Sequence, residues 1–288
     1  MRPPPFAYAR PRSVAETVTL LAAHGDAAAL LAGGQSLVPA LNRRAVRPGV
    51  LVDLSRVQDL RHVRLDGESL SVGALTTHAD LARLRDPHVR SRYGVLPRTA
   101  PLVAHHPIRT RGTFGGSIAH ADPVAEWCVL AVLLDARIEI EGPGGPRTVP
   151  AGEFFRGAHR TALTTGEVVV SVRFPEPAPR AALVEHSVRA GDYAVALGAV
   201  AVEVADGRIA RARVAVGGVA DRPLRLPAVE QELAGMAVVA GPAAVARRAA
   251  ATSLAGHATG TRYRADVAAS MVGRALTAAL AGPGGGNP

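Results

Sequence analysis

The segment from His106 to Trp127 constrains this chain most. It sets Gly112, Gly115 and Gly116 beside Thr113 and Ser117, ahead of an acidic, helix-like stretch that begins at Asp122. Glycine permits positive φ and lets another group come close to the backbone. A backbone with exposed amides and small side chains accepts anionic oxygens without needing a lysine. The expectation is a loop that grips a diphosphate. An earlier run, Ala32-Gly33-Gly34-Gln35-Ser36-Leu37, breaks out of a strand-like stretch and leads into another helix-like one. Two loops, each with Gly-Gly and then a serine, suit the two ends of one dinucleotide.

Composition removes several other chemistries. All 33 basic residues other than histidine are arginine, so a Schiff-base lysine, a Walker A lysine and a lysine general base are excluded. The single cysteine, Cys128, forbids an internal disulfide and cannot hold an iron–sulfur cluster; in its apolar run it reads as a buried thiol. The net charge of +9 raises a nucleic-acid-binding reading without a cofactor, but the arginines are scattered and aromatics make up only 3%, which leaves little to stack bases on. No Gly-x-Gly-x-x-Gly opens a helix, so an NAD fingerprint is absent, and Val38 stands where a nucleophile elbow needs glycine. His105, His106, His120 and Asp122 fit no standard zinc spacing and are read as polar loop residues, with no metal site expected. No apolar run is long enough for a bilayer and Met1–Ala7 lacks the apolar core of a signal peptide; the expected location is the cytoplasm.

The order of elements points to an α+β chain. Ser13-Val-Ala-Glu16 is a capping box that starts a helix stopped at Gly25, and helix and strand then alternate through Asp53 as in a small α/β lobe. From Leu60 the pattern changes to an Asp66-Gly67 hairpin, helices, the central glycine loop, a helix over 122–134 and strands at 137–141 and 168–174. Alternating prolines in Pro175-Glu-Pro-Ala-Pro179 permit neither a helix nor a central strand. Beyond them a three-stranded antiparallel sheet is expected with helices behind it, then a Gly/Pro-rich tail from Gly282 that should not order. The expected units are 1–57 and 58–177, a two-lobed nucleotide-binding domain, and 178–285, a C-terminal lobe.

The two loop sequences, Ala32–Ser36 and Ile108–Ser117, resemble those of the FAD-binding medium subunit of the molybdenum hydroxylases, the xanthine dehydrogenase and aerobic carbon monoxide dehydrogenase family. Leu51–Leu54, Val72–Thr77, Asp122-Pro123, Gly152–Phe155, Gly191–Tyr193 and Tyr263-Arg264 follow in that family's order. The resemblance implies an oxidoreductase subunit that holds FAD and passes electrons to an acceptor. It would receive them from the [2Fe–2S] clusters of a small subunit, next to a molybdopterin-containing large subunit, in a heterotrimer that dimerises; neither nucleic acid nor membrane is an expected partner. By motif position it implies FAD contacts from Ala32, Gly33, Gly34, Gln35, Ser36 and Leu37 on one side and Thr113, Phe114, Gly115, Gly116 and Ser117 on the other. Phe114 replaces the family's usual isoleucine. Glu126 occupies the acidic position that accepts from a sugar hydroxyl, His120 and Asp122 are secondary contacts, and Tyr193 lies against the isoalloxazine. Glu185 stands near where relatives often carry a lysine. The alternative is a stand-alone FAD oxidoreductase of the same superfamily.

Overall fold

The computed structural model describes residues 3–255 and 262–282. The tail expected not to order lies, beyond Gly282, outside the described residues. The chain begins with β1 (Ala7–Ala9), α1 (Val14–His24), β2 (Ala28–Leu31), α2 (Leu37–Asn42) and β3 (Val50–Asp53). Ser13 Oγ accepts the Glu16 amide at 3.1 Å, as the capping box requires, but the Glu16 carboxylate takes the amide of Arg12 rather than that of Ser13. The three strands form a parallel sheet in the order β1-β3-β2, a placement that needs helical crossovers, which α1 and α2 supply. Strand β1, right after a run of prolines, is not legible in the sequence. Leu21, Val50, Val52, Leu54, Val57 and Leu60 close this small core.

The middle of the chain contributes β4 (Val63–Asp66), β5 (Ser69–Gly73), α3 (His78–Ala82), α4 (Pro87–Tyr93), α5 (Val95–Thr99), α6 (His106–Arg109), α7 (Phe114–His120) and α8 (Glu126–Leu133). Next come β6 (Arg137–Glu141), β7 (Arg147–Pro150), α9 (Ala151–Phe154), the short pair β8 (Phe155–Gly157) and β9 (Arg160–Thr161), and β10 (Val168–Phe174). Strands β4-β5-β10-β6-β7 make one antiparallel sheet. Helix α8 is buried from Trp127 to Leu133. A helix apolar on every side belongs inside a protein, and α8 is the shaft on which the sheets are mounted.

The last part holds β11 (Ala181–His186), β12 (Ala196–Ala205), β13 (Arg208–Gly217), β14 (Leu224–Arg225), α10 (Pro227–Leu233), α11 (Pro242–Leu254) and α12 (Arg262–Ala281). The sheet has four strands instead of the three expected, because Leu224-Arg225 adds a two-residue edge on β13. So short a strand has no periodicity to read. Strand β12 is buried on both faces: Leu197, Ala199 and Ala201 join the core around α8, while Ala196, Val200 and Val202 face the core of α11 and α12. That double burial explains its unbroken apolar sequence.

Candidate functional site

The two glycine loops meet. A Cβ on Gly33 would collide with the carbonyl of Arg111, and one on Gly116 would stand 3.8 Å from Ala32 Cβ. Loop one leaves β2 at Leu31 and enters α2 at Leu37, so the end of a parallel strand delivers it. Of the glycines in the two loops only Gly34 has positive φ, at 76°. The expectation of positive φ at Gly112, Gly115 and Gly116 is therefore replaced by close approach: Gly115 is pressed onto Ala74 at the end of β5, and Gly112 onto His78.

The loops differ in what their amides do. Residues 114–120 are a helix, where the sequence reading places a loop, and Thr113 caps it by accepting the Gly116 amide at 3.1 Å. The Phe114 amide donates to Thr76 O at 2.8 Å and the Gly115 amide to Ala74 O at 2.9 Å. Those donors are spent inside the protein. In the first loop the amides of Gly34, Gln35 and Ser36 find no acceptor among the described residues, and Gln35 Nε2 donates to Gly33 O at 3.1 Å, which stiffens the turn. The hydroxyls of Ser36 and Ser117 are likewise unengaged, and both residues are at least partly exposed.

Below α7 lies an aromatic floor. Phe114 is fully buried, 5.1 Å from Trp127 and 6.2 Å from Phe174 between ring centroids. Its side chain thus points into the core, and only its backbone borders the loop. Trp127 Nε1 donates to His78 Nδ1 at 3.0 Å, which fixes His78 with Nδ1 unprotonated. Burial, aided by the nearby Arg109 charge, pulls the pKa of His78 down to about 4.

At the other end of α7 the chain turns through Ala121, in the left-handed region at φ 51°, and Asp122 Oδ1 accepts the Val124 amide at 3.0 Å. That turn holds α8 back to Glu126; the helix expected from Asp122 starts four residues later because Pro123 and the Asp122 cap fix a turn first. Glu126 and Glu185 are both partly buried. Burial first and the Glu185 charge second push Glu126 up to about 8, and burial pushes Glu185 up to about 7. Glu185 Oε2 is buried without a hydrogen-bond partner among the described residues. Asp122, Pro123, Tyr193, Gly218, Asp221 and Arg264 line a cavity of about 410 Å³ between the middle and last parts of the chain. Tyr193 is 77% exposed at its rim. A Cβ on Gly191 would strike the His105 ring, so the loop carrying Tyr193 rests on the segment leading into the second glycine loop.

The fifteen site positions read from the sequence therefore divide. Ala32 to Leu37 and Thr113 to Ser117 meet in one place, Asp122 and Tyr193 share the cavity further along, and His120 and Glu126 stand at the end of α7 and the start of α8. Arg264, which donates to Gly218 O at 3.1 Å, is a cavity residue that motif position did not assign. Its signal was the Tyr263-Arg264 pair at the head of α12.

Comparison with known proteins settles the family. Residues 4–177 match the family described as the FAD binding domain in molybdopterin dehydrogenase, and residues 182–279 match the CO dehydrogenase flavoprotein C-terminal domain. The chain belongs to the FAD-binding medium subunits of the molybdenum hydroxylases. It is 37% identical to the carbon monoxide dehydrogenase medium chain of Hydrogenophaga pseudoflava, over 98% of this chain and 99% of that one. It is 38% identical to subunit alpha of the 6-hydroxypseudooxynicotine dehydrogenase complex of Paenarthrobacter nicotinovorans, covering 97% and 96%. Among solved structures, carbon monoxide dehydrogenase from H. pseudoflava lacking the Mo-pyranopterin moiety superposes with a TM-score of 0.90 at 38% identity, over 98% of this chain and 99% of that chain. The reconstituted CO dehydrogenase of Oligotropha carboxidovorans gives 0.91 at 32%, over 98% and 99%. The medium-subunit assignment makes the chain an oxidoreductase component with FAD as its cofactor. No helix among the described residues is long and apolar enough to cross a membrane.

Proposed function

We propose that this chain is the electron-transfer subunit of a heterotrimer: FAD on it takes electrons from the [2Fe–2S] clusters of a small subunit, downstream of a molybdopterin-containing large subunit, and hands them to an acceptor. The observation that carries this reading is the full-length match to medium chains, combined with a single cysteine that leaves the clusters to another chain. FAD supplies the redox chemistry when bound; the protein supplies binding, orientation and electrostatics.

The residues fit that cofactor. The unspent amides of Gly34, Gln35 and Ser36 and the hydroxyls of Ser36 and Ser117 are donors for diphosphate and neighbouring hydroxyl oxygens. Ala32, Gly33 and Leu37 carry that loop, while Thr113, Phe114, Gly115 and Gly116 form the wall against which it closes. To Glu126 we assign a sugar hydroxyl, to His120 and Asp122 secondary contacts, and to Tyr193 the face of the isoalloxazine. We further propose 1–57, 58–177 and 178–285 as the structural units, with the ring between the second and third.

The test mixes the FAD-loaded chain, under anaerobic conditions, with the reduced iron–sulfur small subunit of its complex and follows the flavin band. The expected result is bleaching of the flavin and co-elution of the two chains. A flavin that stays oxidised, or a chain that elutes alone and turns over substrate unaided, contradicts the proposal and favours a stand-alone oxidoreductase.

A further inference from the structure

Outside the nucleotide loops, the fold brings together three metal-ligating side chains from two separate segments. His120 ends α7, Asp122 follows it in the turn to α8, and His159 lies in the turn between β8 and β9, 39 residues from His120. One ligand atom from each lies within 4.8 Å of the others, and the two imidazole centroids are 4.5 Å apart. We propose that His120, Asp122 and His159 form a binding site for a divalent transition-metal ion, with Zn²⁺ as the ion that fits best.

The local geometry favours this beyond mere proximity. His159 Nδ1 is 3.0 Å from the carbonyl oxygen of His120. A carbonyl only accepts, so Nδ1 carries the proton and Nε2 keeps its lone pair; metal-bound histidines are commonly oriented in this way by the other ring nitrogen. Asp122 Oδ1 is occupied by the Val124 amide, which orients the carboxylate and leaves Oδ2 without a hydrogen bond among the described residues. The backbone is held to match. Ala121 and His159 are both non-glycine residues in the left-handed region, at φ 51° and 56°, and the His159 amide donates to Ala121 O at 3.0 Å. Residues kept in that region persist only where the surroundings impose it, and they cluster at binding sites.

Two imidazoles and one carboxylate form a borderline set that suits Zn²⁺, Co²⁺ or Ni²⁺ and disfavours Mg²⁺ and Ca²⁺, which prefer oxygen throughout. Three protein ligands leave a fourth tetrahedral position for water. The bound ion would clip the β8–β9 turn to the α7–α8 connection, next to the cavity that Tyr193 borders. His120 and Asp122 are also the proposed secondary FAD contacts, so the titration uses the FAD-free chain, where zinc uptake is read without competition from the flavin.

The experiment titrates Zn²⁺ into the purified full-length chain by calorimetry, in a buffer free of phosphate and imidazole, alongside His159→Asn, Asp122→Asn and, as a control, His88→Ala on the exposed surface of α4. Asparagine tolerates the left-handed backbone, so His159→Asn preserves the fold. In Asp122→Asn the amide oxygen can still accept the Val124 amide. The expected result is one Zn²⁺ per wild-type and His88→Ala chain, at least about tenfold weaker uptake in both site variants, and a zinc-dependent rise in melting temperature confined to the two chains that bind. Wild-type chain that takes up no Zn²⁺, or His159→Asn that binds it as tightly as wild type, overturns the proposal.

Discussion

Glu126 and Glu185 are both partly buried, so folding asks both to give up charge that the unfolded chain would carry. Their ordinary carboxyl pKa of 4.5 rises to about 8 and about 7. Between those values the folded chain binds more protons than the unfolded one, and stability therefore falls as pH rises from about 4.5 to about 8. His78 acts in the opposite sense. Its pKa drops from 6.5 to about 4, so the unfolded chain binds the extra proton and stability is lost as pH falls through that window. Denaturant midpoints of the FAD-free chain should show the first slope flattened in Glu126→Gln; an unchanged slope contradicts the raised pKa of Glu126. His78→Phe keeps a ring but removes the acceptor of the Trp127 indole, and is expected to cost about 1–3 kcal/mol in the same measurement. Tyr193, exposed at the cavity rim, should behave differently: Tyr193→Ala changes stability by no more than about 0.5 kcal/mol yet alters the flavin spectrum or its reactivity with acceptors.

Among elements, the tightest joint is loop one against the segment before α7. Gly33→Ala places a methyl on the Arg111 carbonyl and must move the two loops apart, so FAD affinity should fall steeply while the circular dichroism of the chain is retained. Gly115→Val is not an equivalent probe, since its side chain would enter Ala74 in the core and damage the fold instead of the diphosphate path. At the other end, Gly198 lets α12 rest on β12: a Cβ there would meet the Val272 amide nitrogen at 2.5 Å. Gly198→Ala should cost about 1–3 kcal/mol in a denaturation experiment, and no change would contradict that close packing. Several elements were legible to the residue, including the strands 137–141 and 168–174. Helix α7 was not, because Gly-Gly signals a loop and only the Thr113 cap and the hydrogen bonds to Thr76 and Ala74 turn it into a helix. The short strands β1, β7, β8, β9 and β14 carry too few residues to show a period. In the site, the two loops could be read because their chemistry is local. The partial burial of Glu126 and Glu185, the role of Arg264 and the approach of His159 to His120 depend on contacts between distant segments, which no local pattern encodes.

On the scale of the molecule, part of the arginine excess is taken up by ion pairs inside the fold. Arg147 grips Glu167 through two nitrogens, and Arg225 joins Glu230 to Asp135. The strand β12 couples two cores, one around α8 and one under α12, which fixes the cavity between the middle and last parts of the chain. The relatives' names range from carbon monoxide to caffeine dehydrogenase, so the substrate varies across the family while the FAD-binding subunit keeps one architecture. The most direct measurement is the visible absorption spectrum of the purified chain before and after addition of FAD, with release and identification of the bound nucleotide. The expected result is a yellow protein holding one FAD per chain, lost in Gly33→Ala. A chain that stays colourless with excess FAD, even when assembled with its partner subunits, would contradict the assignment of the two glycine loops as the cofactor site.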